Sequence, residues 1–186
     1  MTTALPCPQP QDFSVLTGFI TPGSDFPPPH PLDASITADV QDPTENNERV
    51  RIVETVDPWA LKVNWCICGA LAAAVCGCWC VQVYIDDIDG VGPTSGLLGS
   101  ARVDVRSQPV VKGDDTSRRC YDYTFTFPAG SVGAGVYNLV VVITLATDSC
   151  EKPGSLLQDT LGYAVIPVLV FFDENAPFCP PVQTVT

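Results

Sequence analysis

From Val63 to Ile85 the chain carries no charged side chain for 23 residues. That length suits a bilayer-spanning helix, but the order of the side chains inside the run does not. In ALKVNWCIC, Leu61, Val63, Trp65 and Ile67 fall on one face of an extended chain, and Lys62, Asn64, Cys66 and Cys68 on the other. In CGCWCVQVYID, Trp79, Val81, Val83 and Ile85 share a face opposite Cys76, Cys78, Cys80, Gln82 and Tyr84. A repeat of two is the period of a β-strand, whose successive side chains point to opposite sides of the sheet.

The flanks argue the same way, with Lys62 alone before the run and Asp86, Asp87 and Asp89 after it, where a basic cluster would orient a membrane span. Residues 123–147 are also uncharged, yet Pro128 and a glycine-rich corner divide them into two strands. No transmembrane span is expected. If GALAAAV closes the two cysteine-bearing strands into a hairpin, Cys68 lies opposite Cys76, Cys66 opposite Cys78 and Cys80 opposite Asn64. Opposed side chains have Cβ atoms about 4.5–5.5 Å apart, so five sulfurs would share one patch. Three chemistries compete there: small buried hydrophobes, disulfides, and thiolate coordination of a metal. The C-x-C spacings differ from the C-x₂-C knuckles of structural zinc sites, which ranks metal last, so no metal or other cofactor is expected.

Eighteen prolines and fourteen glycines against one methionine point to an all-β chain of turns and strands. Between residues 49 and 174 seven strands are expected, near 50–56, 60–68, 76–86, 101–106, 119–127, 136–146 and 163–172. Their connections are rich in Gly, Pro, Asp and Ser. Residues 1–48 read as an arm, with nine prolines, seven acids and no Lys or Arg. Residues 175–186 read as a second proline-rich tail. The arm is not uniformly polar: Phe13, Val15, Phe19 and Ile20, then Ile36, Ala38 and Val40, are two stretches able to add to a sheet edge of the same molecule or of a neighbour.

PAGSVGAGVYNLVVVITL places Tyr137 at the start of a hydrophobic strand after a glycine-rich corner. This resembles the tyrosine corner of immunoglobulin-like and fibronectin-like sandwiches. The resemblance implies an immunoglobulin-like antiparallel β-sandwich and transfers no function, because that fold hosts many.

A net charge of −12 with nine scattered Lys and Arg disfavours a nucleic-acid partner. The lone histidine, His30, sits in FPPPHP, so a Ser–His–Asp or Cys–His mechanism lacks a placed base, and no enzyme is expected. Asp86, Asp87 and Asp89 before Gly90 fail the EF-hand spacing and read as a solvated turn. Cys7 and Cys179 in the tails, Cys120 at a strand start and Cys150 in a loop suit crosslinks better than catalysis. The leading expectation is a non-enzymatic structural subunit that assembles with copies of itself through its arm and a cysteine-bearing sheet face. A thiolate metal-binding or redox module built on Cys66, Cys68, Cys76, Cys78 and Cys80 is the alternative, and a sugar-binding module using Tyr84 and the acidic turn is a third. MTTALPCPQPQDF does not resemble a secretory signal. The address is read as cytoplasmic, or as an extracellular surface if the cysteines are oxidised.

Overall fold

The computed structural model describes residues 16–20, 32–88, 90, 95–112, 117–146 and 156–174. The period-2 stretches form strands in two facing sheets. Sheet A runs in the order β1 (Leu16–Ile20), β11 (Leu156–Phe172), β10 (Gly135–Ala146), β6 (Cys78–Asp87) and β7 (Gly96–Asp104). A three-residue strand, β4 (Ile52–Glu54), pairs in parallel with the end of β11. Sheet B runs β3 (Glu48–Arg49), β2 (Asp33–Asp42), β5 (Trp59–Gly69), β9 (Ser117–Phe127) and β8 (Val111–Lys112). The other ladders are antiparallel. The fold is an all-β sandwich, and among the described residues no helix is long and apolar enough to cross a membrane.

Strands β4, β5, β6, β7, β9, β10 and β11 lie where the seven were expected, with ends shifted by several residues in β7 and β11. The expected hairpin between the two cysteine-bearing strands does not form. β5 pairs with β2 and β9, whereas β6 pairs with β10 and β7. The segment between them is an arch that carries the chain from sheet B to sheet A. The physical reason lies in the apolar stripes. Joined as a hairpin, both tryptophan faces would lie on the same side of one sheet and need a third element to cover them. Joined by an arch, they cover each other: Trp65 and Trp79 meet edge to face with ring centroids 6.3 Å apart.

Two aromatic clusters fill the ends of the core. Near the arch, Tyr121 stacks on Trp65 at 5.2 Å and meets Trp79 at 5.8 Å. At the opposite end, Trp59 stacks on Phe127 at 4.1 Å and abuts Phe171, which in turn touches Tyr137. The Tyr137 hydroxyl donates to the Gly133 carbonyl at 3.1 Å, closing the glycine-rich corner on itself. Gly135 lies close beneath that ring: a Cβ there would sit 3.0 Å from the Tyr137 oxygen, so a side chain at this position would have to displace the ring by a few tenths of an ångström.

The arm contributes to both sheets. β1 pairs with β11, from Leu16 opposite Val165 to Ile20 opposite Leu161. β2 pairs with β5 over nine residues, from Asp33 opposite Cys68 to Gln41 opposite Ala60, and buries Ile36, Ala38 and Val40 in the core. The arm boundary drawn at residue 48 therefore falls beyond strands that belong to the sandwich, because the alternating side chains of β2 complete the sheet B side of its core.

Candidate functional site

The alternation that turns tryptophans inward turns cysteines outward, and each sheet handles them differently. On sheet B, Cys66 lies directly opposite Cys120 of β9, and the two form a disulfide with a Cα–Cα separation of 4.1 Å. That separation is closer to the roughly 4.5 Å of a non-hydrogen-bonded antiparallel pair than to the roughly 5.5 Å of a hydrogen-bonded one. Cys68, two residues along the same face, is also disulfide-bonded.

On sheet A, Cys78 and Cys80 pack with Ala146 as a small buried cluster separate from the main core. Cys80 is disulfide-bonded, while Cys78 is a thiol. Cys76 is an exposed thiol in the arch. The five sulfurs expected on one patch are thus divided between two opposite outer faces and a connection, because β5 and β6 turn their apolar sides toward each other. Among the described residues no group of three or more His, Cys, Asp or Glu is placed to hold a metal. Cys7, Phe13, Val15, His30, Cys150 and Cys179 lie outside the described residues. Phe19 and Ile20 lie in β1, opposite Gly162 and Leu161 of β11.

A buried cation fixes the arch. Arg119 points inward from β9 with 7% of its surface exposed, and its Nη1 donates to the carbonyls of Val75, in the arch, and Val105. Val105 opens the 3₁₀ turn Val105–Ser107 that follows β7. The Tyr121 hydroxyl donates to the same Val105 carbonyl at 3.0 Å, and Val105 N–H donates to the Gly77 carbonyl. Burial pushes the Tyr121 hydroxyl above its ordinary range, against the opposing pull of Trp79 and Arg119. Sequence reasoning passed over Arg119. The signal available was its place in the inward parity of β9, in line with Tyr121, Phe125 and Phe127.

At the other end of the sandwich the chain is acidic. Asp42 Oδ1 accepts from the Thr44 hydroxyl at 2.6 Å and the Thr44 N–H at 2.7 Å, which holds its carboxyl below the ordinary range. Glu54 is pushed the other way, by desolvation first and then by the neighbouring carboxylates of Glu174 and Asp57. The expected acidic turn is present in part, with Gly90 N–H donating to Asp87 Oδ1 at 3.0 Å. A cleft between the sheets is lined by Ala38, Val40, Val50 and Ile166 with Asp39, Arg49 and Arg51. Its charges are engaged within the protein: Arg49 pairs with Asp39 at 3.1 Å, and Arg51 donates to the Pro167 carbonyl at 3.2 Å.

The outer faces differ most in polarity. Sheet B presents Asp39, Lys62 and Thr124 in one row and Thr37, Asn64 and Asp122 in the next. Sheet A presents Leu97, Tyr84, Val140 and Val165 in one row across four strands, and Gln82, Val142 and Tyr163 in the next.

No family model matches this chain, and no curated protein does. A search of solved structures finds the C-terminal domain of wzt, at 11% sequence identity and a TM-score of 0.46, covering 79% of this chain and 83% of that one.

Proposed function

We propose that this protein is a non-enzymatic structural subunit, built on an immunoglobulin-like sandwich, that assembles with copies of itself by lending its N-terminal strand to a sheet edge. One observation carries the reading. β1 completes the edge of sheet A through main-chain pairing with β11, and residues 21–32 separate it from β2. Strand addition of this kind takes its affinity from backbone hydrogen bonds, so the β1 segment of another copy fits the same edge. Exchange of an identical element between protomers is a low-cost route to assembly.

Two further features support the reading. The disulfide on the outer face of sheet B is suited to a particle that works in an oxidising setting. The Tyr137 corner supports the immunoglobulin-like form, although the Cys66–Cys120 bridge joins neighbours within one sheet, where that fold ordinarily spans two.

The test is deletion of residues 1–32, which leaves β2 intact, followed by light scattering of the native and truncated proteins. The truncated protein is expected to retain a cooperative melt and to lose the oligomers. Identical oligomers after truncation refute the strand-lending reading.

A further inference from the structure

The edge of sheet A is interrupted where the molecule has its cleft. β1 covers β11 as far as Val165, and β4 takes over at Val170. Among the described residues, no strand pairs with residues 166–169 on that side. The β11 backbone is irregular there. Pro167 has no N–H and its carbonyl accepts from Arg51, while Val168 stands in a bulge at φ 54° and turns its N–H to Asn138 Oδ1 of β10. Ile166, inside the gap, lines the cleft with Ala38 and Val40 of β2 and with Val50, and the Arg49 and Arg51 side chains stand beside them. The cleft has a volume of about 160 Å³. An apolar cavity of roughly 150 Å³ accepts a benzene ring, so the space suits one aromatic side chain.

We propose that residues 12–15 of the same chain, which immediately precede β1, occupy this cleft, with Val15 and Phe13 against its apolar wall and Asp12 beside Arg51. These four residues lie outside the described ones; register, length, pattern and charge together select them. Leu16 is opposite Val165 in an antiparallel ladder, so the residue before Leu16 comes opposite Ile166, which lines the cleft. Opposed residues share a face, and Ile166 is buried, so Val15 turns inward. By the period of two, Phe13 follows it into the cleft, and the polar Asp12 and Ser14 take the outer side. The gap of four residues is matched by the four available before Gln11 and Pro10, and a proline cannot donate to the ladder. Asp12 then reaches the β4 end of the gap, where Arg51 precedes Ile52. The Arg51 guanidinium has five N–H donors, of which the bond to Pro167 uses one. Arg49 is matched by Asp39. Attachment to the paired Leu16 gives this segment an effective concentration on the order of millimolar, an advantage over any free peptide. Because Pro167 and Val168 offer the edge no N–H, side chains in the cleft hold the segment, and the cleft acts as a latch on β1. The inference concerns how the chain's own strand is held and does not rest on the strand-lending reading.

The experiment records nuclear Overhauser contacts of the Phe13 ring in the native full-length chain. Contacts with the methyl groups of Val40, Val50 or Ile166 are expected, and they should stay within one chain when labelled and unlabelled copies are mixed. Their absence, or contacts found only between copies, overturns the inference. Hydrogen exchange of the β1 amides is the second readout. Phe13→Ser and Val15→Asp should speed it at least about ten-fold. Asp12→Asn should speed it about two- to four-fold, and Asp25→Asn, between β1 and β2, should leave it unchanged. Circular dichroism and thermal melts establish that each variant folds. Unchanged β1 exchange in both Phe13→Ser and Val15→Asp overturns the inference, whatever the mass of the protein. Sedimentation of the same samples separates the two readings. Oligomers that disappear on truncation at residue 32, with β1 exchange unmoved by Phe13→Ser and Val15→Asp, leave strand lending standing and remove the latch. A monomeric native chain that shows the Phe13 contacts removes strand lending and leaves the latch.

Discussion

β5 and β6 are built alike and end up in unlike surroundings. Each alternates tryptophan and aliphatic residues with cysteines, and each buries its apolar stripe against the other. Outward, the neighbouring strand decides the outcome for Cys66. β9 offers Cys120 directly opposite Cys66, and a disulfide follows. β10 offers Thr144 and Ala146 opposite Cys80 and Cys78, and β7 offers Arg102 and Asp104; Cys78 stays a thiol, while Cys80 is disulfide-bonded without a cysteine opposite it. The same local pattern therefore fixes which way a side chain faces, while its chemistry is set elsewhere in the chain.

The largest expected effects test the likeness of the inner faces. Trp65→Ala and Trp79→Ala should each destabilise the protein by about 3–5 kcal/mol in urea unfolding, since both rings are at most 1% exposed. A difference of more than about 2 kcal/mol between them, beyond the usual spread of such core truncations, would break the equivalence. Next, Cys120→Ala should cost about 2–4 kcal/mol under oxidising conditions, because it opens a crosslink between residues 54 apart. In reductant most of that difference from the native chain should vanish. Cys78→Ala, in the small cluster on sheet A, should cost about 1 kcal/mol with or without reductant. A redox-dependent loss at Cys78 would show that Cys78 does not stand as a thiol beside the bonded Cys80.

Tyr137→Phe removes the hydroxyl that closes the corner and should lower stability by about 1 kcal/mol. The smallest effects separate the sheets by pH. The Asp42 carboxyl, at the end of sheet B, lies below its ordinary range, so its contribution is present above about pH 4 and lost as pH falls through the lowered value. Glu54, in sheet A, lies above its ordinary range, so its contribution is present below about pH 4.3 and lost as pH rises through the raised value. Stability differences from Asp42→Asn and Glu54→Gln, followed from pH 7 to pH 3, should run in opposite directions. Parallel trends would remove this contrast.

The strands and their inward faces were legible because a period of two needs no knowledge of the partner strand. Pairing was not. GALAAAV has the composition of a hairpin loop and of an arch alike, and only the need of two tryptophan stripes for cover separates these outcomes. β2 was half legible: Ile36, Ala38 and Val40 alternate cleanly, but the surrounding prolines gave the whole segment the character of a tail. The useful signal is that the prolines flank the strand, at Pro31 and Pro43, without interrupting it. The cysteine partners were illegible for a geometric reason. Cys66 has four cysteines within 14 residues, yet bonds to one 54 residues away.

That distance carries a consequence for how the chain reaches this structure. As the polypeptide is made, Cys66 is followed by Cys68, Cys76, Cys78 and Cys80 well before Cys120 appears. Collisions between near neighbours are the more frequent, so early oxidation favours wrong bridges. The native pairing depends on β9 having already zipped along β5, a step dominated by contacts remote in sequence and therefore slow. The arch guards against the error once it has formed, because it turns the sulfurs of β5 and β6 to opposite sides of the protein. Correct oxidation is thus a late reward of topology, and an oxidant that acts before the two sheets have closed on each other should trap scrambled chains.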